Sequence, residues 1–106
     1  MQERGQYFLL TPRELQEKRR AGEALWLMDI RSRQAFQKGH IRGSHNIPRE
    51  ELFDSLDLIP REGTVIVICD SGLHAGQAAG MLGSMGIRAG VLLGGMKSWK
   101  KTFASD

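Results

Sequence analysis

VIVICDSGLHAG, residues 65–76, is the stretch on which the fold turns. Val65-Ile66-Val67-Ile68 is an apolar, β-branched run of strand length, separated by Gly63 and Pro60 from what precedes it. Cys69, the only cysteine of 106 residues, stands where this run ends, and Asp70-Ser71-Gly72-Leu73-His74 must turn the chain. From about His74 to Met85, the residues Ala75, Ala78, Ala79, Leu82 and Met85 recur at helical spacing, and Gly86 supplies the C-terminal stop. Gly76, Gly80 and Gly83 form a second stripe on that helix. Each costs roughly 1 kcal/mol against alanine, so tight packing against a neighbouring element is expected, either within the chain or against a second copy.

Outward from this unit the same alternation continues. Tyr7 to Leu10 reads as a short strand. Thr11-Pro12-Arg13-Glu14 combines an N-cap threonine, proline at the first helical position and glutamate three residues after the cap, and predicts a helix to about Arg20. Leu25 to Ile30 reads as a strand buried on both faces, and Ser32 caps a short helix through Lys38. His45-Asn46-Ile47 is a brief strand. Pro48 is expected to open a further helix with Leu52, Phe53 and Leu56 as its apolar stripe. Ala89 to Leu93 is the last strand, Gly94-Gly95 a turn, and Met96, Trp99 and Phe103 the inner face of a final helix. The expected class is α/β, one domain over residues 1–106, with a mostly parallel central sheet and helices on both faces. Ligands of such sheets bind beyond the carboxyl ends of the strands, which is where Cys69 stands.

The totals bound the function. With 41% apolar and 25% charged residues the composition is globular, and 15 Lys+Arg against 12 Asp+Glu give a net charge of only +3, spread along the chain. No nucleic-acid or membrane partner is expected. A single cysteine cannot form an internal disulfide, and the apolar run of MQERGQYFLLTPRE is too short for the core of a secretory signal, so a cytoplasmic location is expected. His40 lies in a turn and His45 beside a short strand, without ligand spacing, and neither a metal nor another cofactor is expected. A monomer or weak homodimer is the expected state.

The chemistry concentrates at the cysteine. Loop amides between a strand end and a helix start can curl around one point, and a helix N-terminus carries about half a positive charge. Thiols so placed ionise more easily, from a reference value of about 8.5 into the range of roughly 3.5 to 7.5. A lone cysteine after an apolar strand is otherwise simply a small buried hydrophobe.

Four motifs in order raise the first reading above the second. Asp29-Ile30-Arg31 is followed by Phe36, then by Gly39-His40-Ile41-Arg42-Gly43-Ser44-His45-Asn46-Ile47-Pro48, then by Cys69-Asp70-Ser71-Gly72-Leu73-His74-Ala75, and finally by Leu93-Gly94-Gly95 with Trp99. The series resembles the single-domain rhodanese, or sulfurtransferase, family over nearly the whole chain. The resemblance implies a rhodanese-like domain that moves a sulfane sulfur from a donor such as thiosulfate to cyanide or a thiol, through a persulfide on Cys69. It implies Cys69 as nucleophile and Asp70, Ser71, Gly72, Leu73 and His74 as the substrate-binding loop. The partners would be a small-molecule or protein sulfur donor and a thiol acceptor.

The chain departs from the family pattern at three places. His74 replaces a frequent arginine, so a permanent charge is exchanged for one present only part of the time near neutral pH. Asp70 and Ser71 follow the cysteine where some thiosulfate-preferring members carry basic residues. Ala35 replaces a glutamate, which leaves Asp29 as the expected partner of Arg31, two residues away on the same side of the strand end. Arg31, Asp29 and Asn46 are expected to tie loops together. Phosphatases of related fold need an arginine where this chain has Ala75, which counts against phosphate chemistry. Arsenate reduction uses similar thiol chemistry and is a minor alternative. The rival of another class is a non-enzymatic rhodanese-like module that binds a partner or senses redox state.

Overall fold

The computed structural model describes residues 6–104; the reading of the first five residues as part of a non-signal N-terminus lies outside that range. Among the described residues five strands, all parallel, form one sheet: β1 (Phe8–Leu10), β2 (Leu25–Asp29), β3 (His45–Asn46), β4 (Thr64–Ile68) and β5 (Arg88–Leu92), in the order β1-β5-β4-β2-β3. The helices are α1 (Pro12–Arg20), α2 (Arg33–Lys38), α3 (Ala75–Ser84) and α4 (Gly95–Thr102).

β4 is central because it is apolar throughout: Val65, Ile66, Val67 and Ile68 are all at most 1% exposed, and their side chains divide alternately between two cores. Val65 and Val67 pack with Ala75, Ala78, Ala79 and Leu82 of α3. Ile66 and Ile68 pack with Leu15 of α1 and Met96 of α4. Each such side chain contributes roughly 1.5–3 kcal/mol on burial. Parallel strands require crossovers of one hand, and the two faces follow from that rule. Connections that run towards the β1 edge, through α3 and through residues 49–59, cover the first core; of the two that run the other way, through α1 and through α2, the first covers the second core.

α1 begins as its sequence dictates. The Thr11 hydroxyl oxygen accepts from the Glu14 N–H (3.1 Å) while the Glu14 carboxylate accepts from the Thr11 N–H (2.8 Å), and Pro12 occupies the first helical position.

The segment after Pro48 differs from its sequence reading. Instead of a helix with Leu52, Phe53 and Leu56 inward, the chain makes two 3₁₀ turns, Arg49–Glu51 and Phe53–Leu58. Leu52 and Ile59 are buried and Leu56 packs against them, whereas Phe53 is 76% exposed. The spacing of Leu52 and Ile59 anchors both ends of the segment on the sheet, and the tighter three-residue turn between them rotates Phe53 to the outside.

The glycine stripe of α3 is explained inside the chain at two of its three positions. Residues 6 and 7, leading into β1, run across α3: a Cβ on Gly83 would collide with the Gln6 carbonyl oxygen, and one on Gly76 would meet the Tyr7 hydroxyl at 2.8 Å. The two neighbours yield differently, so the two alanine variants are expected to differ in sign. Gly83→Ala forces backbone to move and is expected to destabilise by about 1–2 kcal/mol, the packing cost of roughly 1–3 kcal/mol exceeding the helix-propensity gain. Gly76→Ala displaces only the end of an exposed side chain and is expected to be neutral or to stabilise by up to ~1 kcal/mol. Urea denaturation of the two variants checks both; equal effects would remove the N-terminal segment as the cause.

Candidate active site

The strand order changes direction between β2 and β4: the chain leaves β2 towards β3 on one side and leaves β4 towards β5 on the other. The two loops therefore part above the sheet and leave a crevice at its carboxyl end. A cleft of about 170 Å³ lies there. One wall comes from Ile30, Arg31 and Ser32 after β2, another from Cys69, Asp70, Ser71 and His74 after β4, and Arg49 and Glu50 of the first 3₁₀ turn complete it.

Cys69, directly past the end of β4, is 5% exposed, and its Sγ accepts a hydrogen bond from the Gly72 N–H at 2.9 Å. The turn that brings this amide back to the sulfur puts Gly72 at φ +93°, and a Cβ there would press on the Gly94 nitrogen at 3.3 Å. The other side of the loop is fastened by α4. Its first turn donates the Met96 N–H to the Cys69 carbonyl (2.8 Å) and the Lys97 N–H to the Asp70 carbonyl (3.0 Å). These are donors that a helix start otherwise leaves unsatisfied. All peptides among the described residues are trans, so with both carbonyls turned towards α4 the N–H groups of Asp70 and Ser71 point away from it.

This fastening requires Gly95 to lie against the loop. A Cβ at Gly95 would sit 2.6 Å from the carbonyl carbon and oxygen of Asp70, and its φ is +59°. Gly95→Ala is expected to destabilise by about 2–4 kcal/mol, the left-handed conformation contributing roughly 1–2 kcal/mol and the overlap the rest. The same variant should loosen the cysteine loop. Thermal melting and the reactivity of Cys69 towards a neutral alkylating agent check the two effects.

Asp29 and Arg31 form a buried pair at the end of β2. Arg31 donates through Nε to Asp29 Oδ1 (3.0 Å) and through Nη2 to Asp29 Oδ2 (2.8 Å), and Nη2 also donates to the Gly39 carbonyl (2.8 Å). Asn46 Nδ2 donates to the carbonyls of Asp29 and Arg31, each at 3.0 Å. Arg31 thus finds Asp29, as the missing glutamate implies, and the three residues tie together the loops after β2, α2 and β3. Arg31 Nη1 is 3.9 Å from Asp70 Oδ1, which joins this knot to the cysteine loop.

Of the residues singled out in the sequence, Cys69, Asp70, Ser71 and His74 line the cleft, and Gly72 contributes its amide. Leu73 does not join them: it is 75% exposed and lies outside the cleft wall. His74 is held from outside the loop: Arg49 Nη1 donates a hydrogen bond to its Nδ1, which acts as the acceptor in this contact. Arg49 and Glu50 are cleft residues that motif reading passes over; the available signal is their place just after Ile47-Pro48, beyond the carboxyl end of β3. His40 and His45 are structural. The first stacks on Phe36 at 3.7 Å and donates from Nδ1 to the Phe36 carbonyl; the second stacks on Trp26 at 4.3 Å. Among the described residues, no group of three or more His, Cys, Asp or Glu side chains is placed to hold a metal ion, and no helix is long and apolar enough to cross a membrane.

Comparison with known proteins agrees with this fold. Residues 11–102 match the family model of the rhodanese-like domain. The thiosulfate sulfurtransferase GlpE of Ectopseudomonas mendocina is 33% identical over 98 residues, covering 92% of this chain and 88% of the relative. The thiosulfate sulfurtransferase PspE of Escherichia coli is 34% identical over 74 residues, 68% of this chain and 70% of the relative. Among solved structures, a rhodanese-related protein from Thermoplasma volcanium superposes with a TM-score of 0.85 at 27% identity, covering 92% of this chain and 94% of that one. The family model spans residues 11–102, the relatives and the superposition cover most of the same parallel-sheet domain, and this chain belongs to the rhodanese-like domain family.

Proposed function

We propose that this protein is a sulfurtransferase that carries a sulfane sulfur as a persulfide on Cys69, between a donor such as thiosulfate and a thiophilic acceptor. The observation that carries the reading is the placement of Cys69 in the wall of the cleft at the strand switch point, with the Gly72 amide donating to its Sγ. A cysteine retained only as core packing has no need of an amide aimed at its sulfur.

In the first half-reaction the Cys69 thiolate attacks the outer sulfur of thiosulfate. A new S–S bond forms, the donor's own S–S bond breaks, and its electron pair leaves on sulfite; the enzyme keeps the sulfur as Cys69–S–S⁻, with charge conserved. In the second, the thiolate of an acceptor attacks the outer sulfur, takes it as a persulfide, and returns Cys69 to the thiolate. Cyanide in the same role leaves as thiocyanate. Two such displacements on one nucleophile give ping-pong kinetics. The Gly72 N–H serves both states, since it stabilises negative charge on sulfur without having to reorganise. The loop residues Asp70, Ser71 and His74 shape the donor's approach, and the names of the GlpE and PspE relatives support thiosulfate as one donor.

The experiment is intact-mass measurement after incubation with thiosulfate or with a small persulfide. One added sulfur atom, removed by cyanide or a thiol, is expected. A folded protein that gains no sulfur from either donor would return the chain to the binding or redox-sensing class.

A further inference from the structure

We infer that Arg49, held by His74, is the residue that grips the charged, oxygen-bearing end of the sulfur donor. The inference deepens the sulfurtransferase reading and rests on it for the identity of the ligand as a sulfur donor. Two guanidinium groups line the cleft, and they are not equivalent. Arg31 is committed: its fork closes on Asp29, its Nη2 also serves the Gly39 carbonyl, its side chain is 4% exposed, and its remaining nitrogen faces Asp70. Arg33, nearby in sequence, is paired with Glu51. Arg49 is exposed, and among the described residues no carboxylate lies within ion-pair distance of it. One of its N–H groups is used on His74 Nδ1, and the hydrogen bonds among described residues leave Nε and Nη2 without a protein partner.

A guanidinium presents five donors in a planar fork that matches two oxygens of a sulfonate or carboxylate. Fixing one edge on a histidine acceptor reduces the rotamer freedom the fork would lose on binding. The contact also gives a physical reason for an imidazole in the cysteine loop. A permanent cation at position 74 would repel Arg49, whereas the Nδ1 lone pair holds it at the cleft that contains Cys69. The ligand class is a small oxyanion bearing a terminal sulfur, the –SO₃ end of thiosulfate or the –SO₂ end of an organic thiosulfonate. Glu50 and Asp70 share the cleft wall and oppose any anion there, so Arg49 is the group that makes anion entry favourable.

The test separates anion recognition from sulfur transfer by alkylating Cys69 with two reagents of the same chemistry, iodoacetate and iodoacetamide. In both, the thiolate attacks the methylene carbon and iodide leaves with its electron pair; only the first reagent is an anion. The ratio of their second-order rate constants cancels any change in the fraction of thiolate. Arg49→Gln is expected to lower this ratio about tenfold, which corresponds to about 1.4 kcal/mol, and Arg49→Lys to lower it less. Asp70→Asn should raise it. His74→Ala should lower it and His74→Gln, whose amide oxygen can accept from Nη1, should restore part of the loss. In turnover, Arg49→Gln should raise the KM for thiosulfate by a larger factor than it lowers kcat. Arg49 is exposed, so the variant should melt with the wild type, and a ratio within twofold of wild type in such a folded Arg49→Gln protein overturns the inference. Absence of any sulfur adduct on the wild-type protein would instead remove the sulfurtransferase reading, while the alkylation ratio would still decide whether Arg49 attracts anions to Cys69.

Discussion

A Cys69→Ser variant is expected to gain no sulfur from any donor and to lose turnover by a factor on the order of 10³ or more, the scale on which removal of a covalent nucleophile acts. Serine keeps the size of the side chain and offers an oxygen that can accept from the Gly72 N–H in place of Sγ, so the loop and its attachment to α4 should persist. Stability should change by no more than about 1–2 kcal/mol, the cost of a hydroxyl at a buried site that retains a partner. A serine oxygen, however, is not ionised near neutral pH and cannot hold a transferable sulfur as a persulfide. The paired measurements are intact mass after donor treatment and thiocyanate release from thiosulfate and cyanide. Transfer that survives in a folded Cys69→Ser protein would mean that Cys69 is not the carrier.

The largest effect on stability is expected at the opposite side of the cleft. Asp29 is fully buried and Arg31 is 6% exposed, and no buried side-chain nitrogen or oxygen among the described residues lacks a partner. Asp29→Ala leaves a guanidinium charge inside the protein without its carboxylate, and breaking a buried pair from one side costs about 3–5 kcal/mol. The loss should extend beyond the pair, because Arg31 also holds the Gly39 carbonyl and stands beside Asp70. Replacing both partners distinguishes a buried charge from a general packing defect. Asp29→Ala combined with Arg31→Met should recover a substantial part of the loss, since the uncompensated charge is gone. Chemical denaturation of the two single variants and the double variant measures the coupling; strictly additive losses would mean that the pair does not act as a unit.

Such a pair was legible in advance because its two members are neighbours in sequence. Asp29 and Arg31 lie two positions apart at a strand end, and Ala35 offers no competing acid, so the period of a strand is enough to bring them together. The capping box of α1 is equally local, and Thr11 and Glu14 find each other across three residues. The segment after Pro48 departs from its helical spacing for the converse reason. Leu52, Phe53 and Leu56 suit a helix by spacing, but the distance between the sheet contacts of Leu52 and Ile59 selects 3₁₀ turns and leaves Phe53 outside. Leu73 shows the same limit within the site, since membership of the loop does not decide which side chains face the cleft.

By itself the sequence determined the succession of strands and helices apart from the segment after Pro48, the parallel character of the sheet, the position of Cys69 at a carboxyl strand end, and the local pairs that stiffen its surroundings. All of these follow from steric preference, hydrophobic period and hydrogen bonds between residues only a few positions apart. Tertiary structure alone decided that the first turn of α4 holds the cysteine loop by its carbonyls, that residues 6 and 7 account for Gly76 and Gly83, and that Arg49 meets His74 across 25 positions of chain. These contacts join residues distant in sequence, and they exist because the strand order and the single hand of the crossovers bring the loops after β2, β3 and β4 to one end of the sheet.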